Sequence, residues 1–223
     1  MDSEQLSPGV GESPFKLEHT LTGKPYILLK TSSPSPVYLT EFYTTDTKAI
    51  QATLSIPSVH LNLISVPQPY TLADAEWWIN LQLSGNSNLP LQVLRSGSPD
   101  EKGIFIGSVS LMPADSEAFL AIKDKIALEK KGPGEHEYEL GYYLHPDWQG
   151  KGIMRNAARA LVWWGKGKGV EIVMVRVLEG NLASRRVIES LKEFVREEKD
   201  DWVDWPEVKG GGRRKILVWR WKM

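Results

Sequence analysis

The apolar and polar positions in the first half of the chain predict short strands interrupted by two helices. A strand over 37–42 is followed by a helical repeat over 45–57. A second helix is predicted over 71–83, where a threonine is followed three residues later by an acid, as in a capping box. Segments 91–95 and 104–111 flank a turn rich in Ser, Gly and Pro, which predicts an antiparallel hairpin.

The second half of the chain predicts strands and helices in alternation. A strand over 138–144, a helix over 153–166, an apolar strand over 170–178 and a helix over 182–191 follow one another. A strand from residue 194 and an exposed loop precede a closing strand over 216–221. This order predicts an α/β fold with a mixed sheet.

The segments outside this pattern predict an arm and a long connection. Residues 1–36 carry scattered Ser, Pro and Gly and one apolar patch at 26–29, so we expect a loosely ordered N-terminal arm with at most a short strand. The folded domain is then expected to span 37–223. Within the connection over 112–134, apolar residues recur at helical spacing and predict a short amphipathic helix.

Composition and charge exclude several classes of protein. Of the 223 residues, 41% are hydrophobic and 25% charged, which is typical of globular proteins. The net charge of -1 gives no overall field for nucleic acid or a membrane surface, and we expect neither as a partner. The polar N-terminus and the lack of a long apolar run predict a cytoplasmic or nucleocytoplasmic protein. We expect a monomer or a homodimer.

The absence of cysteine narrows the chemistry further. It excludes disulfides, zinc-thiolate sites and a cysteine acyl-enzyme. His136 and His145 lack the spacing of metal ligands, so we expect no metal site.

A glycine-containing turn at Gln149-Gly150-Lys151-Gly152 lies between a predicted strand and a predicted helix. Backbone N–H groups at a helix start bind phosphate, and glycine lets the ligand approach the backbone closely. Lys151 is not followed by Ser or Thr as in a Walker loop, and Arg155 stands where a dinucleotide turn needs a small residue. By itself, the turn is compatible with two interpretations. It could bind an anion, or its glycines could be needed only for the backbone conformation of a tight strand-to-helix turn.

Two longer segments carry a family resemblance. Residues 139–152 and 177–189 resemble the GNAT superfamily, and specifically its ribosomal-protein N-terminal acetyltransferase branch (RimJ/RimL-like), in a match over about 37–221. The resemblance implies a central, mostly antiparallel sheet that is splayed at the fourth and fifth family strands and flanked by helices. It also implies acetyl-CoA as cosubstrate and an amine as acceptor.

The resemblance further implies which residues hold the cofactor. The pyrophosphate of coenzyme A is expected on main-chain amides of Gln149, Gly150, Lys151, Gly152, Ile153 and Met154. The thioester arm is expected beside Tyr142, Tyr143 and Leu144, and Asn181 matches a family asparagine that contacts the cofactor. The chain departs from the family at Asp147, where Gln or Arg is usual, and at 192–194, where the usual Gly-Phe is missing.

Glu139 and Ser184 are the candidate catalytic residues. Without cysteine, direct attack by the amine in a ternary complex is the natural route. We interpret Glu139 as the general base, acting through water, and the alternative is an ordinary edge carboxylate. Ser184 matches the family's donor of a proton to the leaving thiolate, and the alternative is a local helix cap. The oxyanion is expected on a main-chain N–H near Tyr143 or Leu144.

The sequence thus predicts an N-acetyltransferase that acts on a protein or peptide N-terminus or on a small amine. The alternative is a catalytically silent acyl-CoA-binding module, because fold does not imply activity. A third hypothesis, RNA binding by the basic loop 210–215, is disfavoured by the neutral overall charge. The identity of the acceptor stays open.

Overall fold

The computed structural model describes residues 15–84, 91–113 and 137–223. Ten strands in these ranges form one sheet, in the order β1-β2-β3-β4-β5-β6-β7-β10-β8, with β9 paired to β10. The strands are β1 (Leu17–His19), β2 (Pro25–Leu29), β3 (Val37–Thr40), β4 (Val93–Ser96), β5 (Ile104–Pro113), β6 (Glu137–Leu144), β7 (Ile172–Leu178), β8 (Val195–Arg196), β9 (Asp201–Asp204) and β10 (Arg213–Lys222). The amphipathic helix predicted within 112–134 lies outside the described residues.

The described helices flank this sheet, which confirms the predicted mixed α/β class. They are α1 (Thr47–Leu54), α2 (Pro57–His60), α3 (Leu72–Leu83), α4 (Ile153–Gly167) and α5 (Leu182–Glu189). The predicted capping box of α3 is present: Thr71 Oγ1 accepts from the Asp74 N–H at 3.2 Å, and the Asp74 carboxylate accepts from the Thr71 N–H at 2.8 Å. No helix of the described ranges is long and apolar enough to cross a membrane.

The sheet is antiparallel except where β6 lies beside β7. These two strands run parallel and pair only over Glu137↔Ile172, Tyr138↔Val173 and Glu139↔Met174. Both strands continue beyond these pairs, to Leu144 and Leu178, but they no longer pair with each other. The predicted splay is therefore confirmed, and it leaves a wedge-shaped gap in the middle of the sheet.

The two faces of β6 pack against different helices. Leu140 and Leu144 belong to the main apolar cluster with buried residues of α4 such as Ala157 and Leu161. Tyr143 packs instead against the cluster that α1 and α3 contribute. Because successive strand residues point to opposite faces, helices cover both sides of β6 and hold it rigidly beside the gap.

The N-terminal part of the described chain belongs to the sheet. β2 pairs with β3, and Ile27 and Leu29 are each only 4% exposed whereas Leu28 is 50% exposed. The short strand expected at 26–29 is thus present, and the domain boundary predicted at residue 37 falls inside the sheet. A four-residue apolar patch such as 26–29 is too short to distinguish a sheet strand from part of an arm, but its alternate side chains reach the core.

Two elements near the C-terminus differ from the sequence prediction. Residues 201–204 lie in the predicted exposed loop but form β9, paired with the start of β10. β10 itself begins at Arg213, three residues before the predicted strand. The two acids and two apolar residues of β9 do not alternate, and residues 213–215 are all basic, so hydrophobic pattern alone could not reveal these additions. Helix α5 ends at Glu189 and not at Leu191.

Candidate active site

The glycine turn begins helix α4 with its backbone turned toward open space. Gly150 and Gly152 have φ angles of +76° and +70°, in the left-handed region that favours glycine. A Cβ added at Gly150 would meet no atom within 4 Å. Gly152 is the N-cap, and no described side chain caps the helix, so its first N–H groups are left for an anion.

Side chains on the turn hold it in place. Gln149 Nε2 donates to the Leu144 carbonyl at 3.1 Å, and Lys151 Nζ donates to the carbonyl of Asp147 while lying over the Trp148 ring. The Ser32 N–H donates to the Lys151 carbonyl at 3.2 Å, so the loop after β2 supports the turn from outside. Lys151 therefore braces the backbone at the rim.

A groove of about 450 Å³ runs from this turn into the gap between β6 and β7. It brings together most of the residues that the sequence assigned to the cofactor: Tyr143, Leu144, Gln149, Gly150, Gly152, Ile153, Met154 and Asn181. The exposed guanidinium groups of Arg155 and Arg186 also line it, and neither forms an ion pair within the described chain. The groove thus offers helix N–H groups and two cations to a polyanionic ligand.

Asn181, Ser184 and Tyr142 form a hydrogen-bonded group in the gap. Asn181 Oδ1 accepts from the Ser184 N–H at 3.1 Å and so caps α5. The Ser184 and Tyr142 hydroxyls are 2.7 Å apart. Burial raises the pKa of Tyr142 more than the bond to Ser184 lowers it, so the phenol is neutral at physiological pH.

A second cavity, of about 180 Å³, approaches the same group from another direction. It is lined by the splayed parts of β6 and β7, the loop after α2, and residues of β9 and β10. The residues that line both cavities are Asn62, Leu63, Tyr142, Asn181 and Ser184. Two ligands, one in each cavity, would meet at the hydroxyls of Tyr142 and Ser184.

Glu139 lies in the second cavity and is paired with an arginine. Its carboxylate accepts from Arg176 Nε at 3.1 Å and from Nη2 at 2.7 Å, a bidentate pair in which both side chains are less than one-fifth exposed. Burial is the largest single influence on the pKa of Arg176 and lowers it, but the charge and hydrogen bond of Glu139, together with the charges of Asp201 and Glu137, raise the net pKa above the usual value. The guanidinium of Arg176 therefore stays charged beside Glu139.

The hydrogen-bond register of β6 shows which backbone groups face the gap. The His145 N–H donates to the Ile106 carbonyl at 2.8 Å, which makes these two residues a hydrogen-bonded antiparallel pair. Because such pairs alternate along a ladder, the N–H groups of Tyr142 and Leu144 point away from β5 and toward β7. Near the position where the oxyanion is expected, the Leu144 N–H therefore faces the gap, with that of Tyr142 beside it.

A buried lysine anchors one wall of the second cavity. Lys209 is 3% exposed, and its ammonium donates to the carbonyls of Leu63 and Val66 in the loop after α2. Burial lowers the pKa of Lys209 to about 8. No local sequence pattern indicates this contact, because it joins residues more than 140 positions apart.

Several residues at the site were missed by sequence reasoning. Arg176, Asp201 and Trp205 line the second cavity, and the last two lie in what was predicted to be an exposed loop. The hydrogen bond between Tyr142 and Ser184 likewise spans 42 residues and had no local signal. The alternation of apolar residues along β7 is the one sequence signal for Arg176, because it places this side chain on the face of the strand that is not buried in the core.

Comparison with known proteins agrees with this geometry. The family described as "Acetyltransferase (GNAT) domain" matches residues 37–192. Among solved structures, yncA of Salmonella typhimurium, which contains acetyl-CoA, is 20% identical with a TM-score of 0.60 and covers 85% of this chain and 94% of that one. No curated protein sequence matches the chain significantly.

Two further structures carry more specific names. Ribosomal-protein-alanine N-acetyltransferase from Brucella melitensis is 18% identical, with a TM-score of 0.60 and coverage of 83% of this chain and 99% of that one. RimJ from Mycobacterium smegmatis, solved with CoA-disulfide, is 15% identical, with a TM-score of 0.60 and coverage of 87% and 85%. At such identities these structures are similar to this chain in fold.

Proposed function

The chain belongs to the GNAT acetyltransferase family, whose acetyl-CoA-dependent acyltransferase activity it shares, and we propose that it transfers the acetyl group to a primary amine by direct attack in a ternary complex. The meeting of two cavities at Tyr142 and Ser184 is the observation that carries this proposal. Donor and acceptor can bind at the same time only if separate entrances lead to one reaction centre.

The acyl donor is proposed to occupy the groove at the start of α4. Its pyrophosphate would accept from the free N–H groups between Gly150 and Met154, where the helix dipole also favours an anion. Arg155 and Arg186 line the groove, and their guanidinium groups would bind further phosphate oxygens of the donor. The thioester end would then extend along the unpaired edge of β6 toward Ser184.

The reaction is proposed to proceed through a tetrahedral intermediate. The neutral amine attacks the thioester carbon, and the oxyanion accepts from the Leu144 N–H that faces the gap. As the C–S bond breaks, the Ser184 hydroxyl donates to the thiolate, and the Tyr142 hydroxyl at 2.7 Å can replace that proton. Glu139, held in place by Arg176, can receive the amine proton through a water.

The finer assignment is to the ribosomal-protein N-terminal acetyltransferase branch, with a peptide N-terminus as acceptor. Support comes from the sequence segments 139–152 and 177–189 and from the fold shared with the Brucella and Mycobacterium enzymes. A small amine is the competing acceptor.

Two assays with the full chain test the proposal. Isothermal titration should show acetyl-CoA binding, and thiol release from acetyl-CoA should require an added amine from a panel of short peptides and small amines. Binding without amine-dependent thiol release across the panel would favour the silent acyl-CoA-binding module. No binding at high micromolar acetyl-CoA would contradict both functions. A peptide whose N-terminus is already acetylated is the matched negative control.

A further inference from the structure

Asp201 places an unused carboxylate in the second cavity. It is the first residue of β9, pairs with Ile216 of β10 and lines the cavity beside Arg176 and Glu139. Its charge contributes to raising the pKa of Arg176, so the two groups are electrostatically close. The carboxylate nevertheless forms no hydrogen bond or ion pair with any residue that the structure describes. It is therefore available to a ligand.

The charges that line this cavity do not cancel. Glu139 and Arg176 neutralise one another through two hydrogen bonds. Arg176 is the only basic residue among the described residues of the lining, and the others apart from Glu139 and Asp201 are neutral, such as Asn62 and Ser65. Among the lining residues that the structure describes, Asp201 thus leaves an excess negative charge. In a partly buried site this charge attracts a cation and repels an anion more strongly than it would in water.

We infer that Asp201 binds the ammonium group of the acceptor and makes the cavity select amines that have no carboxylate beside the amino group. The inference rests on the proposed amine acetylation and makes its acceptor class more specific. A peptide N-terminus or an amino-acid amide meets the charge requirement. A free α-amino acid brings a carboxylate to a cavity whose one guanidinium is already held by Glu139.

The test compares acceptors that differ in this one group. Alaninamide, an alanine-led hexapeptide and free alanine are assayed by acetyl-CoA-dependent thiol release with the wild-type chain. We expect kcat/KM for the amide and the peptide to exceed that for alanine by at least about tenfold. The carboxylate of alanine and that of Asp201 have the same charge and repel each other in the cavity. Acetyl-CoA affinity, measured by isothermal titration, reports separately on the donor site.

The variant Asp201→Asn removes the charge and keeps the shape of the side chain. It should raise KM for alaninamide and the hexapeptide about tenfold, reduce their advantage over alanine and leave acetyl-CoA affinity unchanged. Asp204→Asn is the matched control, because it makes the same change on the same strand at an exposed position outside the cavity lining. It should leave all these quantities unchanged.

The outcomes separate this inference from the proposed function. Wild-type turnover of the amide or peptide with KM and selectivity unchanged in Asp201→Asn would overturn the role of Asp201 alone. Equal rises in KM for Asp201→Asn and Asp204→Asn would also overturn it, because a general effect of the lost charge would then explain both results. Failure of the wild-type chain to acetylate these three acceptors or any amine of the wider panel, while it binds acetyl-CoA, would overturn both.

Discussion

Replacing Gly150 with alanine should weaken acetyl-CoA binding in addition to destabilising the fold. The residue has φ +76°, where an L side chain costs about 1–2 kcal/mol. The new Cβ would meet no protein atom within 4 Å, so no packing clash adds to that cost. It would instead project from the turn that we propose to hold the pyrophosphate. We expect the Kd for acetyl-CoA to rise at least tenfold, or about 1.4 kcal/mol.

Gly169 provides a matched control for the backbone strain. It has φ +84° and equally open surroundings, but it lies beyond the other end of α4 and outside the groove lining. Gly169→Ala should therefore lose about the same 1–2 kcal/mol of unfolding free energy and bind acetyl-CoA normally. In a chain of this length such a loss lowers Tm by about 2–8 °C.

The assay pairs thermal unfolding without ligand with isothermal titration of acetyl-CoA, for both variants and the wild type. Similar Tm losses in the two variants, with a raised Kd in Gly150→Ala alone, would support the turn as the pyrophosphate site. Unchanged affinity in a folded Gly150→Ala would refute the reasoning, because it would show that neither the turn's backbone nor the space in front of it contacts the ligand.

Three further predictions concern the groove. Ser184→Ala should lower kcat at least about tenfold in the thiol-release assay without changing acetyl-CoA affinity, whereas a fall in affinity alone would contradict its role as proton donor. Asn181→Ala removes the cap of α5 and should cost about 1 kcal/mol of unfolding free energy, and Asn181→Ser should recover most of it in thermal melts. Arg186→Gln should weaken coenzyme A binding several-fold and reduce its salt dependence, but the exposed Arg159→Gln, outside the groove lining, should not; equal effects would argue against a specific phosphate contact.

Features encoded within a few residues could be predicted from the sequence. Gly150 and Gly152 reveal the turn because positive φ angles favour glycine, and Asn181 reveals the start of α5 because a cap bonds three residues ahead. The family resemblance added the splay between β6 and β7, which no local pattern contains. The anion-binding turn at the start of α4 and the arrangement of the sheet could therefore be predicted from the sequence and the resemblance.

Features that depend on how distant strands align could not be predicted. The pairing of Glu139 with Arg176 follows from the parallel register of β6 and β7, which places Glu139 opposite Met174 and two residues from Arg176. Asp201 reaches the cavity only because a four-residue segment with an acid at each end pairs with β10. Long-range register is set by the packed sheet as a whole, so the acceptor side was the part of the site that sequence left open.

Initial-velocity kinetics test the central claim, that donor and acceptor meet in one ternary complex at Tyr142 and Ser184. The rate of thiol release is measured while acetyl-CoA and an accepted amine are varied together. The two cavities that share Tyr142 and Ser184, together with the absence of cysteine, predict double-reciprocal lines that intersect, with no burst of thiol when the amine is omitted. Parallel lines, together with a stoichiometric burst from acetyl-CoA alone, would contradict direct transfer and demand an acetylated enzyme.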